Sequence, residues 1–221
     1  MSQYRVVLFF VFSLTAVAAQ SSNQLGILPS LNINKRLPKD WSLNFKAESR
    51  QKLYQDNFNY DYLLTDVSII VANRIRLNTV LAGGYLVRIT PDEVKHRTIQ
   101  QVSITQRHEF FRLAHRLSMD QTLSNLEDTE FRFRYRVSSE IPLEGLTLDP
   151  KEFFLKVSNE YLNSLQGKDY DLEIRGAAFL GYALTSNSKM ELGLDYRADS
   201  FIINNLRNRF WLGINFFQNI P

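Results

Sequence analysis

The chain has 221 residues, 44% of them hydrophobic, which is room for one domain and too much apolar content for a disordered polymer. Its 26 basic and 23 acidic side chains are close to balance, which argues against an electrostatic nucleic-acid binder. Cysteine is absent, so neither a disulfide framework nor a thiolate metal site is available.

At the N-terminus Arg5 precedes an uncharged, mostly apolar run from Val6 to Ala19 that closes on the small-x-small pattern Ala16, Val17, Ala18. This is the form of a secretory signal peptide, and the run is shorter than the ~20 residues a spanning helix needs. The expected division is therefore a signal peptide over residues 1–19 and a single exported domain over 20–221. No later stretch is apolar for long enough to cross a bilayer as a helix, so residence in a membrane would require a barrel.

Alternation of apolar and polar residues organises the chain beyond Ala19. Leu25 to Lys35 reads as a first strand, and Leu37, Pro38, Lys39 and Asp40 as a tight turn. In the second strand Trp41, Leu43, Phe45 and Ala47 oppose Ser42, Asn44, Lys46, Glu48 and Arg50, and Gln51 to Asn59 reads as a polar loop. Leu63 to Val71 forms the third strand, Ala72 to Arg74 a short connection, and Ile75 to Arg88 the fourth, with Gly83 and Gly84 expected to mark a bulge or bend. Thr90 to His96 is a loop, and Ile99 to Arg107 and Phe111 to Thr122 are the next strands. After a loop from Ser124 to Asp128 the strand from Thr129 to Pro142 has the clearest pattern of all, and Leu143 to Pro150 turns the chain. The remaining strands are Phe153 to Tyr161, Leu172 to Tyr182, Met190 to Arg197 and Phe210 to Phe216. They are joined by connections at Asn163 to Asp169, Thr185 to Ser188 and Arg197 to Asn205.

In the stretch from Thr129 to Pro142, Phe131, Phe133, Tyr135 and Val137 alternate with Arg132, Arg134, Arg136 and Ser138. Successive side chains of a strand point to opposite faces, so one face is aromatic and the other cationic. A soluble sheet hides its apolar face and carries mixed polar groups outside. Bulky aromatics opposite a column of arginines fit the reverse, with lipid outside and a polar lumen within. The arginines stand ~6.7 Å apart along the strand. If the preceding connection is centred on Leu126, antiparallel pairing sets Asp120 opposite Arg132 and Glu140 opposite Arg112. The lumen-lining candidates are Arg112, Arg116, Asp120, Arg132, Arg134, Arg136, Glu140, Lys156, Glu160, Glu173 and Arg175. They make either a salt-bridged, closed interior or an anion-selective one, and in a small barrel the closed form carries more weight. Trp41, Tyr60, Tyr62, Tyr85, Tyr161, Tyr170, Tyr182 and Tyr196 are expected near strand ends, at the lipid headgroups.

Catalytic and binding motifs are scarce. The histidines are His96, His108 and His115. His108 and Glu109 open like a zinc-protease helix, but Arg112 stands where the second His would be. No phosphate loop, dinucleotide motif or calcium loop occurs. Aromatic and basic residues lie on opposite faces, which defeats a stacking groove for single-stranded nucleic acid.

The chain resembles the bacterial domain-of-unknown-function family 2490, barrels of Bacteroidota, on the strength of Leu37 to Phe45, Phe131 to Pro142 and Phe153 to Tyr161. The resemblance implies an outer-membrane barrel and supplies no catalytic residues. The expected fold is all-β, an antiparallel up-and-down transmembrane β-barrel. Eleven strands can be segmented, but bacterial single-chain barrels have even counts, so about 12 are expected, with 10 next. The expected role is a structural barrel or a narrow, porin-like small-solute channel with a charged lumen, and not an enzyme. The alternative is a lipid-modifying hydrolase at the outer rim. The expected location is the bacterial outer membrane, as a monomer without cofactor or metal. Its partners would be outer-membrane lipid, the barrel-assembly machinery and small anionic solutes, with no nucleic acid.

Overall fold

A computed structural model describes residues 22–200, 202 and 206–221. The signal peptide expected at residues 1–19 lies outside the described residues. The described residues fold as eleven strands: β1 (Ser22–Arg36), β2 (Trp41–Gln55), β3 (Asn57–Arg76), β4 (Thr79–Ile89), β5 (Val94–Arg107), β6 (Arg112–Leu123), β7 (Glu130–Pro142), β8 (Phe153–Gln166), β9 (Asp169–Ala183), β10 (Ser188–Asp199) and β11 (Arg207–Ile220). One sheet closes on itself, each strand beside the next in sequence, with β1 against β11.

The expectation of 12 or 10 antiparallel strands is corrected by this closure. Consecutive strands pair antiparallel, but β1 and β11 run parallel, from Ser22 beside Arg207 to Lys35 beside Ile220. An up-and-down chain with an odd number of strands ends in the direction in which it began, so its first and last strands can join only in parallel. The segmentation into eleven is the one observed, and the adjustment to an even number is not.

Several connections are shorter than expected, because polar residues continue the ladders. The segment expected as a loop from Gln51 to Asn59 is mostly strand, turning at Asp56, whose φ of 64° is left-handed. Gln166 and Asp169 are likewise joined by only Gly167 and Lys168, with Gly167 at a φ of 59°. The connection expected at Ala72 to Arg74 belongs to β3, and the turn falls at residues 77–78. His96 lies within β5 and not in a loop. The ladder between β3 and β4 runs unbroken through Gly83 and Gly84, and its register shift lies between Arg74 and Arg76. No bulge marks the two glycines.

β3 is 20 residues long, about 66 Å of extended chain and roughly twice what a tilted crossing of a bilayer requires. The β2–β3 hairpin therefore projects beyond β4, whose ladder with β3 ends at Thr65 and Ile89, while β1 runs beside it to the tip.

Exposure alternates along the strands as a single-layered barrel demands. Phe131 and Phe133 are 50% and 52% exposed, whereas Arg132 between them is 8% exposed. Leu192 and Leu194 are exposed around buried Glu191 and half-buried Gly193. Among the described residues no second layer covers the aromatics. Inside, one half of the barrel is filled by rings lying over glycines. Phe154 covers its direct partner Gly181, Trp211 covers Gly26 across the seam, and Phe179 reaches over Gly193 to Gly213. A Cβ at any of the three covered glycines would collide with the ring above it. The absence of a side chain is what makes room for these aromatics.

Candidate functional site

The inward positions hold a continuous system of charges. Reading from strand to strand through direct partners, Arg116 of β6 lies beside Arg136 of β7, then Glu160, Arg175, Arg197 and Arg209 of β8 to β11. Five guanidinium groups in a row with a single carboxylate among them leave a net repulsion, which acids of the adjoining rows offset. Glu160 accepts from Arg136 Nε at 2.7 Å and from Arg175 Nη1 at 3.0 Å. Glu173 accepts from Arg175 Nε at 2.9 Å and Nη2 at 3.0 Å, and Arg209 is 3.4 Å away. Arg197 Nε donates to Asp195 at 2.6 Å, and Arg209 pairs with Asp199.

The expected pairing of β6 with β7 is observed residue for residue. Asp120 lies opposite Arg132 and Arg112 opposite Glu140. Asp120 is wholly removed from solvent and is held by Arg132 Nη2 at 3.0 Å and Arg134 Nη2 at 2.8 Å. Glu140 takes Arg112 at 3.2 Å and Lys189 at 2.6 Å. Lys156 bonds both oxygens of Glu191 at 3.0 Å, and its ammonium lies 4.9 Å from the centroid of the Phe217 ring. Of the eleven candidates, ten therefore enter ion pairs. Arg116 enters none among the described residues.

Sequence reasoning missed a second cluster. Arg88 makes a bidentate pair with Asp66 at 2.7 and 2.8 Å, beside Glu48 with Lys46 at 2.6 Å and Arg50 at 2.9 Å. Asp66 and Arg88 are direct partners about a turn centred on Leu77. A turn placed at Ala72 to Arg74 puts them out of register, so the error in the turn hid the pair.

The interior grades from dry to wet. On β6, Thr122, Asp120 and Ser118 are buried, and Arg116 and Arg112 are exposed. On β5, Arg97 and Ile99 are buried, Gln101, Ser103 and Thr105 half-buried, and Arg107 exposed. Along β5 and β6 solvent therefore enters from the end where the two strands join and stops at the layer of Asp120 and Arg97, whereas along β8 to β10 the same end is closed by buried Phe154, Ala183 and Glu191. Near the opposite rim a cavity of about 230 Å³ is lined by Arg88, Lys95, Arg97, Thr122, Glu127 and Glu130. There Arg97 Nη2 is buried without a hydrogen-bond partner, 4.0 Å from Glu130.

The histidines lie apart from this system. His96 Nδ1 is 2.7 Å from the Tyr85 hydroxyl, His115 Nδ1 is 2.8 Å from that of Tyr135, and His108 stacks on Phe111 at 4.6 Å. Among the described residues none of them is hydrogen-bonded to a serine or a carboxylate. No group of three or more His, Asp or Glu among the described residues could hold a metal ion.

Fold and interior together define a closed β-barrel with buried ion pairs within and apolar side chains without. Over residues 25–207 the sequence matches the model of the family described as "Protein of unknown function (DUF2490)". The chain belongs to that family. No curated protein and no solved structure matches it.

Proposed function

We propose that the protein is a bacterial outer-membrane barrel that provides a narrow passage for small solutes. The observation that carries this reading is the inverted distribution of side chains. Phe131, Phe133, Leu117, Met119, Leu192 and Leu194 face outward and exposed, while Asp120, Arg132, Glu160 and Arg197 are buried inside. In water that arrangement wastes the hydrophobic effect and strands charges, whereas in a bilayer it satisfies both surfaces. The run from Val6 to Ala19 supports export.

The test is single-channel recording in planar bilayers, with membrane fractionation of the native host. Discrete conductance steps that shrink in Arg134→Glu support the passage, and a protein absent from the outer membrane overturns the whole reading. A sealed, purely structural barrel is the second reading. It is favoured by buried side chains toward both rims, Asp120, Arg97 and Trp211 nearer one and Phe154 nearer the other, and an impermeable but correctly inserted protein would establish it.

A further inference from the structure

We infer that Arg116, together with Arg134 and Arg136, binds a small oxyanion, a carboxylate or inorganic phosphate, in the solvent-open half of the barrel interior. The inference rests on the proposed polar passage and names what that passage would hold.

Arg116 is the one cation of the row from β6 to β11 that enters no ion pair among the described residues. Its direct partner on β5 is Ser103, a neutral hydroxyl, and its direct partner on β7 is another guanidinium, Arg136. Arg134 stands one inward position further along β7, opposite Ser118. Like charges placed directly across a ladder destabilise it. The nearby acids are already engaged: Glu160 spends one oxygen on Arg136 and the other on Arg175, and Asp120 holds Arg132 and Arg134.

The two neighbours are only partly occupied. Arg136 uses Nε for Glu160, and Arg134 uses Nη2 for Asp120 while its Nε is buried with no partner. Three forks thus converge on one region with donors to spare. Guanidinium groups match the planar, bidentate geometry of carboxylate and phosphate oxygens, so an oxyanion would supply the missing negative charge and several hydrogen bonds at once. The site is reachable, because Arg116 is exposed and Arg107 and Arg112 toward the same rim are exposed as well. A cation entering there meets unbalanced positive charge and is repelled.

The experiment is calorimetric titration of inorganic phosphate into the folded, full-length barrel in detergent micelles at fixed ionic strength, followed by competition with acetate. Saturable binding of one phosphate is expected. It should weaken about tenfold or more in Arg116→Gln and several-fold in Arg116→Lys, which keeps the charge and loses the fork. Lys168→Gln, in the exposed β8–β9 turn, should bind as the wild type does. Acetate displacing phosphate at comparable concentration identifies a carboxylate site, and failure to displace it identifies a phosphate site. Absence of saturable binding, or binding that survives Arg116→Gln unchanged, overturns the inference. Should Arg116→Gln not fold, unchanged binding in Arg116→Lys overturns it equally. Conductance is read separately: a non-conducting barrel that binds phosphate through Arg116 refutes the passage and leaves the site, and a conducting barrel that binds none does the reverse.

Discussion

Asp120 and Arg132 face each other directly across β6 and β7, and Arg134, two residues along the same strand, closes on the same carboxylate from 2.8 Å. One acid with no solvent contact therefore neutralises two guanidinium groups. Removing one partner of a buried pair leaves the other charge uncompensated, at about 3–5 kcal/mol. Asp120→Ala is expected to cost at least this range, since two cations are stranded. Urea titration of the protein in lipid vesicles, followed by tryptophan fluorescence, measures it. A loss below about 1 kcal/mol would mean that solvent reaches the site freely.

The packing of Trp211 over Gly26 welds the parallel seam. Trp211 is 1% exposed, and a Cβ on Gly26 would come within 2.5 Å of its ring and equally close to the Gln51 carbonyl oxygen. Trp211→Ala should destabilise by about 3–5 kcal/mol, the usual cost of emptying a large aromatic site. Gly26→Val should prevent closure. The heat-dependent shift in electrophoretic mobility that marks a closed barrel would reveal both: retained at lower temperature for Trp211→Ala, absent for Gly26→Val.

The outward band makes its own prediction. Leu192 is 55% exposed near the middle of β10. In a bilayer, Leu192→Arg should lower stability by about 2–4 kcal/mol, as charges on a lipid face do near the midplane. In a water-soluble barrel the same change would be close to neutral. Equilibrium unfolding from phospholipid vesicles distinguishes these outcomes without reference to transport.

Acid should loosen one rim before the rest. Ser124 Oγ donates to Glu93 at 2.7 Å, with Lys95 at 2.9 Å and the Asn125 N–H at 3.3 Å. The Ser124 hydrogen bond first, and Lys95 next, hold the Glu93 carboxyl below its ordinary value of 4.5. Glu127 is lowered likewise, chiefly by its hydrogen bond from Lys95 at 2.7 Å and then by that from Gln166 at 3.0 Å. Folding depresses both values, so the contacts contribute fully above the unfolded value and fade as pH falls below it through the folded ones. Amide protection factors, referenced to the intrinsic exchange rate at each pH, should therefore be high at neutral pH in residues 90–97 and 124–129 and fall below about pH 4.5. Ser124→Ala should move that loss of protection to higher pH. Protection in this rim that is indifferent to acid would refute the assignment.

What the sequence conveys about this fold depends on local rules. Alternation separates Phe131, Phe133 and Tyr135 from the arginines between them without reference to any neighbour. Given a connection centred on Leu126, the pairing of Asp120 with Arg132 then comes from counting alone. The Arg88–Asp66 pair escaped the same method because Ala72 to Arg74 looks like a turn and is strand. The hairpins at Asp56 and Gly167 escaped it because polar residues extend a ladder as readily as they leave it. Closure could not be read at all, since nothing in β1 or β11 taken singly states that they meet. The solitary position of Arg116 is equally non-local, being the outcome of how acids on β7 to β11 are shared.

The parallel seam has a consequence for sidedness. Ser22 sits beside Arg207 and Lys35 beside Ile220, so the two ends of the closed sheet lie at opposite rims. In an even-stranded barrel both would emerge into the same compartment. In the proposed membrane setting, an epitope appended after Pro221 and one inserted ahead of Ser22 would be reached from different aqueous phases, and antibody or protease added to one phase alone would find only one of them.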